Sequence, residues 1–273
     1  MRLLGAVCAL LAATLTLALT APASADTAQT AGRAAKPKII VSLGFDDGDA
    51  SHAMVGSLLK RYGMRGTFYI NSGDLGKSGF LTRRQVRTLA KQGHEIGGHT
   101  LHHVRLTEVA PLTARKEICQ DRKALLGMGF KVRTFAYPYG AENAKVHKMA
   151  AYCGYNAART VGGLTQPGCL ECGGYAETLP PRELYRVRTP GSVRADNTLE
   201  EIQEEVIAAE EKGHGLLPLV FHRVCEEDCG EYSVTPQLLE EFVAWLKERE
   251  ADGTVVRTLA DVIGGKVRPV PGR

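Results

Sequence analysis

IIVSLGFDDGDAS, residues 39–51, begins as an apolar run and ends on two adjacent carboxylates. Ile39 to Phe45 reads as a buried strand, rich in β-branched and apolar side chains. Asp46 and Asp47 arrive where the strand should stop, and Gly48 lets the chain turn. Two neighbouring carboxylates repel each other and call for a cation or a shared proton, unless this is only a solvated Asp-Gly turn.

Outward from this strand, helix-like and strand-like stretches alternate. A helix over Ser51–Tyr62, with Met54, Val55, Leu58 and Leu59 on one face, ends at Gly63. Strands follow over 66–70, 94–98, 134–137, 155–159, 216–221 and 254–259, with an extended stretch at 184–188. Helices lie between them: Thr82–Gln92 with Thr82 as N-cap, Pro111–Met128, Asn143–Tyr152, Thr198–Lys212 and Thr235–Glu250. A Gly/Pro/Cys-rich loop fills 161–182. About eight β/α alternations predict an α/β fold, a parallel sheet with outer helices. At this length, closure into a barrel is favoured over an open sheet. No internal repeat is present.

The N-terminus reads differently. Arg2, an uncharged apolar run over Leu3–Thr20 and Ala23-Ser24-Ala25 form a secretory signal pattern, with cleavage after Ala25. Residues 26–37 read as a flexible lead-in, 38–264 as one domain and 265–273 as a flexible tail. No later segment is apolar enough to span a bilayer. The net charge of +4 falls to +3 without Arg2, too little to argue for nucleic acid. Beyond Cys8, six cysteines are disulfide candidates: Cys119, Cys153, Cys169, Cys172, Cys225 and Cys229. Cys119 and Cys153, each on a predicted helix, are expected to pair. The Cys169/Cys172 and Cys225/Cys229 pairs could instead form a four-thiolate zinc site, a reading that an oxidising compartment disfavours.

Polar clusters fall just after the strands: Asp46-Asp47, His99 to His103, Tyr137-Pro138-Tyr139-Gly140, and His222. In α/β barrels the site sits at the carboxyl ends of the strands. His99 and His103 are four apart, which in a helical turn places both imidazoles on one face; His102 points elsewhere. With one Asp they make a three-ligand set with an open position, the form of a catalytic metal site. One Asp would hold the cation and the other would stay ionised beside it as a base.

At this point the chain resembles the polysaccharide deacetylases of the NodB-homology type, carbohydrate esterase family 4, over residues 38–263. The family's Thr-Phe-Asp-Asp-Gly stands here as Gly44-Phe45-Asp46-Asp47-Gly48 and its His-[Ser/Thr]-x-x-His as His99-Thr100-Leu101-His102-His103. Its Arg-Pro-Pro-Tyr-Gly stands as Ala136-Tyr137-Pro138-Tyr139-Gly140, and its late Leu-x-Leu-x-His lies near Leu217–His222. The resemblance implies a distorted (β/α) barrel with fewer than eight regular units. It implies a divalent metal, Zn²⁺ first and Co²⁺ or another ion second, on Asp47, His99 and His103. Asp46 would be the general base and His222 the general acid. Tyr139, with Pro138 beside it, would contribute a backbone N–H to the oxyanion site. The implied reaction is N-deacetylation of a chitin-like, peptidoglycan or poly-N-acetylglucosamine polymer by a secreted or cell-wall-associated monomer.

Two departures stand out. The family's base-pairing arginine is Ala136 here; Arg133, Arg159 and Arg188 are the substitutes, with Arg188 favoured because it ends an extended segment. The family's Asp-x-x-Asp-Trp segment is absent, leaving open what tunes His222; the one Trp, Trp245, reads as core. Tyr69, Tyr137 and Tyr155 are either groove-lining or core. His52, His94, His147 and His214 read as structural or solvated. The competing functions are an O-acetyl xylan esterase and a carbohydrate-binding version of the fold without turnover. Retention of both Asp, both His ligands and His222 argues against the latter. A nuclease or phosphatase is remote without a phosphate-cradling loop.

Overall fold

β1 (Ile39–Phe45) is the hub of the sheet. The computed structural model of the chain describes residues 37–165, 173–226 and 229–272, so the signal pattern, Cys8, Cys169 and Cys172 lie outside the described residues. After β1 come β2 (Thr67–Ile70), β3 (Glu95–Gly98), β4 (Thr134–Ala136), β5 (Ala157–Gly163), β6 (Val187–Thr189) and β7 (Gly215–Phe221). β8 (Arg223–Val224), β9 (Ser233–Val234) and β10 (Thr254–Val256) follow. The helices are α1 (His52–Arg61), α2 (Arg83–Lys91), α3 (Pro111–Gly127), α4 (Ala144–Tyr152), α5 (Leu199–Lys212), α6 (Pro236–Arg249) and α7 (Leu259–Ile263).

β1 pairs with β7 along its whole length. Its other edge is shared: Ile39–Val41 pair with β10, and Gly44–Phe45 with β2. The sheet then runs through β3, β4 and β5 to β6, every ladder parallel. β6 is too short to complete the ring. Closure comes from isolated bridges onto β7: Ser192 lies parallel to Val220, with Val193 N–H on Val220 O at 2.9 Å, and Glu177 pairs antiparallel with Leu216. The result is the expected distorted barrel with fewer than eight units. Helices cover its outside, which is why β1 and β7 are apolar on both faces.

The barrel interior holds Tyr69, Ala136, Ala157, Val187 and Leu216. Gly97 of β3 makes room for this filling, and Gly98 for the layer between the sheet and the helices. A Cβ at Gly97 would overlap the Tyr69 ring, and one at Gly98 the Tyr155 hydroxyl. Tyr69, Tyr137 and Tyr155 are therefore buried core and line no groove. The amino-terminal end of the barrel is plugged by α7, absent from the sequence reading, which extended a strand to 259. Thr258 caps α7, Leu259 N–H bonds Thr67 Oγ1 at 3.1 Å, and Ala260 N–H bonds the buried Glu95 at 2.7 Å.

Other local rules hold. Thr82 and Gln85 form a full capping box on α2, and Pro111 sits in the first turn of α3. The Cys119–Cys153 disulfide joins α3 to the end of α4, as expected. Trp245 packs on the core, stacked on Phe242. Met54 departs from the apolar face assigned to it and is 44% exposed. The stretch after Gly264, read as a loose tail, forms no regular element yet is tied to the body. Arg122 Nη2 donates to Arg268 O at 2.7 Å, Asn156 Nδ2 donates to Lys266 O at 3.2 Å, and Arg268 reaches Tyr185 Oη at 2.8 Å.

Candidate active site and metal centre

The polar clusters meet in a cleft of about 730 Å³ at the carboxyl ends of the strands. Asp46 N–H bonds Phe221 O at 2.9 Å, tying the ends of β1 and β7 together. The chain then turns through two left-handed residues, Asp47 (φ 72°) and Gly48 (φ 67°). That turn sends the two carboxylates apart: Asp46 is buried and Asp47 faces the cleft.

Asp47 Oδ1 lies 3.3 Å from His99 Nε2 and 3.1 Å from His103 Nε2. The three ligand atoms lie within 4.8 Å of one another. Asp47 Oδ1 is buried, yet forms no properly aligned hydrogen bond. His99 Nδ1 lies 2.7 Å from Ala136 O, a contact that fixes the ring with Nε2 turned toward Asp47. A carboxylate oxygen and two imidazole nitrogens converging on one point fit a divalent cation, and an O/N/N set suits zinc. Burial opposes ionisation of Asp47, but the two imidazoles outweigh it and hold the carboxyl well below the usual range.

The route to this geometry is not the expected helical turn. His99 to His103 is an irregular loop after β3, with Thr100 (φ 69°) and His103 (φ 53°) both left-handed. Two such residues swing the chain back so that imidazoles four apart converge without a helix.

The arginine on Asp46 is Arg159, and the preference for Arg188 is corrected. Arg159 Nη2 donates directly to Asp46 Oδ1, both side chains being at most 2% exposed. Arg188 instead bonds Glu177, with Nε 2.9 Å from Oε1, on the outer edge near β6; Arg133 lies against Asp261. The register explains the substitution. Arg159 on β5 pairs directly with Ala136 on β4, the position of the family's arginine. The guanidinium has moved one strand over and crosses the barrel above Tyr69, 4.6 Å from its ring centroid. Gly44 makes room: a Cβ there would lie 3.3 Å from Leu219 O, 3.4 Å from Tyr69 and 3.6 Å from Arg159 Nε. Burial raises the Asp46 pKa, and Arg159, His99 and His222 outweigh it, so the carboxyl stays ionised.

His222 follows β7 and faces the same cleft. The buried His52, read as structural, holds its backbone: His52 Nε2 bonds His222 O at 2.7 Å. His222 Nδ1 has no hydrogen-bond partner among the described residues. Burial therefore pulls the imidazole below its ordinary value, only partly offset by Asp46 and Asp47. Tyr139 (φ 58°) lines the cleft between His103, 4.5 Å away by ring centroids, and the Arg105 guanidinium; Pro138 is buried behind it.

Tyr232, 43% exposed, is a cleft residue that the sequence did not announce. Its ring lies 5.4 Å from that of His222 and carries the Arg194 guanidinium at 5.3 Å. It stands on the β8–β9 loop, closed by a Cys225–Cys229 disulfide, so those thiols are not available for a zinc-thiolate site. His94 and His147 make structural bonds to Gly56 O and Glu142, and His214 is exposed.

Residues 33–158 match the polysaccharide deacetylase family model. YxkH of Bacillus subtilis, whose name places it provisionally among the polysaccharide deacetylases, is 31% identical over 156 residues. That is 55% of this chain and 52% of YxkH. The peptidoglycan-N-acetylglucosamine deacetylase PgdA of Listeria monocytogenes is 30% identical over 115 residues, 41% of this chain and 24% of PgdA. The chain thus spans about half the length of one relative and a quarter of the other. Two solved structures share the fold at 17% identity. A Mycobacterium smegmatis chain, provisionally named a polysaccharide deacetylase, has a TM-score of 0.59 over 87% of this chain and 96% of its own. The Xyl-CE4 domain of a multidomain xylanase, from the hindgut metagenome of Trinervitermes trinervoides, has 0.54 over 83% and 90%. Residues 33–158 thus match the polysaccharide deacetylases, and the motifs and fold of the chain resemble those of the NodB-homology type, carbohydrate esterase family 4.

Proposed function

We propose that this chain is a secreted, metal-dependent hydrolase that removes acetyl groups from the N-acetylated sugars of a polysaccharide. One observation carries the reading. The Asp47/His99/His103 triplet shares a cleft with an arginine-paired carboxylate, Asp46, and an imidazole, His222. A divalent ion on the triplet, Zn²⁺ by donor type, would supply a Lewis acid that makes water more acidic and polarises a carbonyl.

The chain's own residues divide the remaining work. Asp46, ionised beside Arg159, accepts the proton of the attacking water. His222 donates a proton to the departing sugar nitrogen, and its burial makes that proton easier to give up. Tyr139 offers its backbone N–H toward the acetyl oxygen. Tyr139 and Tyr232 offer exposed aromatic faces to pyranose rings. The motivation for secretion is the leader pattern of residues 1–25, and the chain is proposed to act as a monomer outside the cell or at the wall.

The test is acetate release from chitooligosaccharides, peptidoglycan and acetylated xylan, with and without a chelator. Release from the first two, lost with chelator and restored by Zn²⁺ or Co²⁺, is the expected result. Release from xylan alone would move the assignment to ester hydrolysis. Unchanged release after verified metal removal would end the metal reading.

A further inference from the structure

The metal-ligand loop is gripped by a helix that no motif touches. Two carboxylates one turn apart on α3, Glu117 and Asp121, face the loop from behind. Asp121 is fully buried. Its Oδ1 accepts Ser72 N–H at 3.0 Å, and its Oδ2 accepts His99 N–H at 3.2 Å, with the Tyr155 hydroxyl at 3.5 Å. Glu117 Oε2 accepts His102 N–H at 3.0 Å, and its Oε1 lies 3.0 Å from His102 Nδ1. From the other side, Asn71 Nδ2 donates to His99 O and Thr100 O, and Gly73 N–H to Leu101 O.

This satisfies five backbone groups between His99 and His102, in a loop without regular secondary structure. His99 N–H also keeps its ladder bond to Ile70 O. Buried backbone groups demand such partners. The left-handed Thr100 and His103 need an outside constraint, since side chains other than glycine rarely hold that conformation unaided.

We infer that Glu117 and Asp121 are positioning residues that hold the His99–His103 loop in its metal-binding shape before any metal arrives. They touch neither ligand nitrogen; they act through the backbone on either side of the imidazoles. His102, the motif histidine that is not a ligand, gives Glu117 its handle. The ring is 55% exposed, and the N–H is the group that matters. The inference rests on the metal reading only for its consequence in affinity; the shape of the loop is a property of the protein alone.

The experiment uses the full chain and three variants: Glu117→Ala, Asp121→Asn and His102→Ala. Asp121→Asn replaces one acceptor by a donor facing an N–H. Zn²⁺ affinity is measured by competition with a chelator, and amide hydrogen exchange of residues 99–103 is read in metal-free protein. Glu117→Ala should weaken Zn²⁺ about 10-fold and Asp121→Asn about 10–100-fold, the range for groups that orient ligands from behind. Both should speed exchange across the loop about 10-fold or more, while β1 and β7 amides keep their protection. His102→Ala, which keeps the backbone N–H, should hold its affinity within about two-fold, a control chosen because a merely structural ring–carboxylate pair would fail equally. Affinities and loop exchange unchanged in both carboxylate variants would overturn the inference. So would exchange that rises equally in β1 and β7, because the loss would then be global. Should Asp121→Asn not fold, Glu117→Ala decides alone. Should the unmodified chain take up no Zn²⁺, the metal reading fails, and loop exchange in Glu117→Ala still decides the clamp.

Discussion

Arg159→Met removes the guanidinium paired with the buried Asp46 carboxylate. Met keeps much of the apolar stem over Tyr69 but leaves Asp46 without its ion-pair partner. Breaking a buried pair on one side typically costs about 3–5 kcal/mol, because an uncompensated charge remains. At about 2–4 °C per kcal/mol for a domain of this size, the melting temperature should fall roughly 6–20 °C. The cost comes from the stranded charge, so Asp46→Asn added to Arg159→Met should recover most of it. The kinetic consequence has a defined sign. Arg159 is the main force holding Asp46 below its ordinary value against burial. Without it, burial raises the carboxyl pKa and the base stays protonated to higher pH. The acid limb of the pH–activity profile should therefore move up. Arg188→Met, whose partner is Glu177, should leave that limb in place. Urea denaturation of the single and double variants and acetate release across pH are the assays. An Arg159→Met cost below about 1 kcal/mol with an unmoved acid limb would refute the reasoning, as would a double variant no more stable than the single.

Two further outcomes concern stability. Glu205 on α5 has a buried Oε2 without a hydrogen-bond partner among the described residues, and burial together with Glu201 pushes its carboxyl up to about 7. A raised carboxyl stabilises the fold below the unfolded value near 4.5 and loses that contribution as pH rises through about 7. Glu205→Gln should thus be the more stable protein at pH 8, by at most about 3 kcal/mol, with a flatter stability profile between pH 4.5 and 7; an unchanged slope in urea titrations would count against it. The Cys119–Cys153 bond spans a separation of 34 residues. Replacing both cysteines by Ser should cost up to about 4 kcal/mol in the chain-entropy picture, read as a lower urea midpoint, and no shift would contradict it.

Most elements were legible because their signals are local: β1 matched residue for residue, the Thr82 cap sits where the sequence places it, and the helices read from Asn143, Thr198 and Thr235 prove to be capped by those residues. The Asp47/His99/His103 cluster was legible from residue type and spacing, though for the wrong local reason. Positive φ at Thr100 and His103 has no sequence marker when the residues are not glycine. Arg159 was one of three candidates and could not be singled out. Only the β4–β5 register reveals that it stands opposite Ala136, and register is a long-range property. Gly44 was the available hint, a small residue where a crossing guanidinium needs space. Asp121 and Glu117 read as ordinary charges of an amphipathic helix until α3 is docked behind β3. α7 was missed because five residues carry too little periodicity, and Thr258 looked like strand.

The central claim is that the two adjacent carboxylates divide their work, Asp47 on the metal and Asp46 on the proton. The most direct measurement is metal content by mass spectrometry, paired with acetate release, for Asp47→Ala and Asp46→Asn. Asp47→Ala should lose its metal, because two imidazoles remain of three ligands. Asp46→Asn should keep its metal and lose about 10²–10⁴-fold in turnover on an N-acetylated oligosaccharide, the usual worth of a general base. A metal-free Asp46→Asn beside a metal-loaded Asp47→Ala would reverse the assignment, and full activity with metal in both would reduce residues 44–48 to a turn.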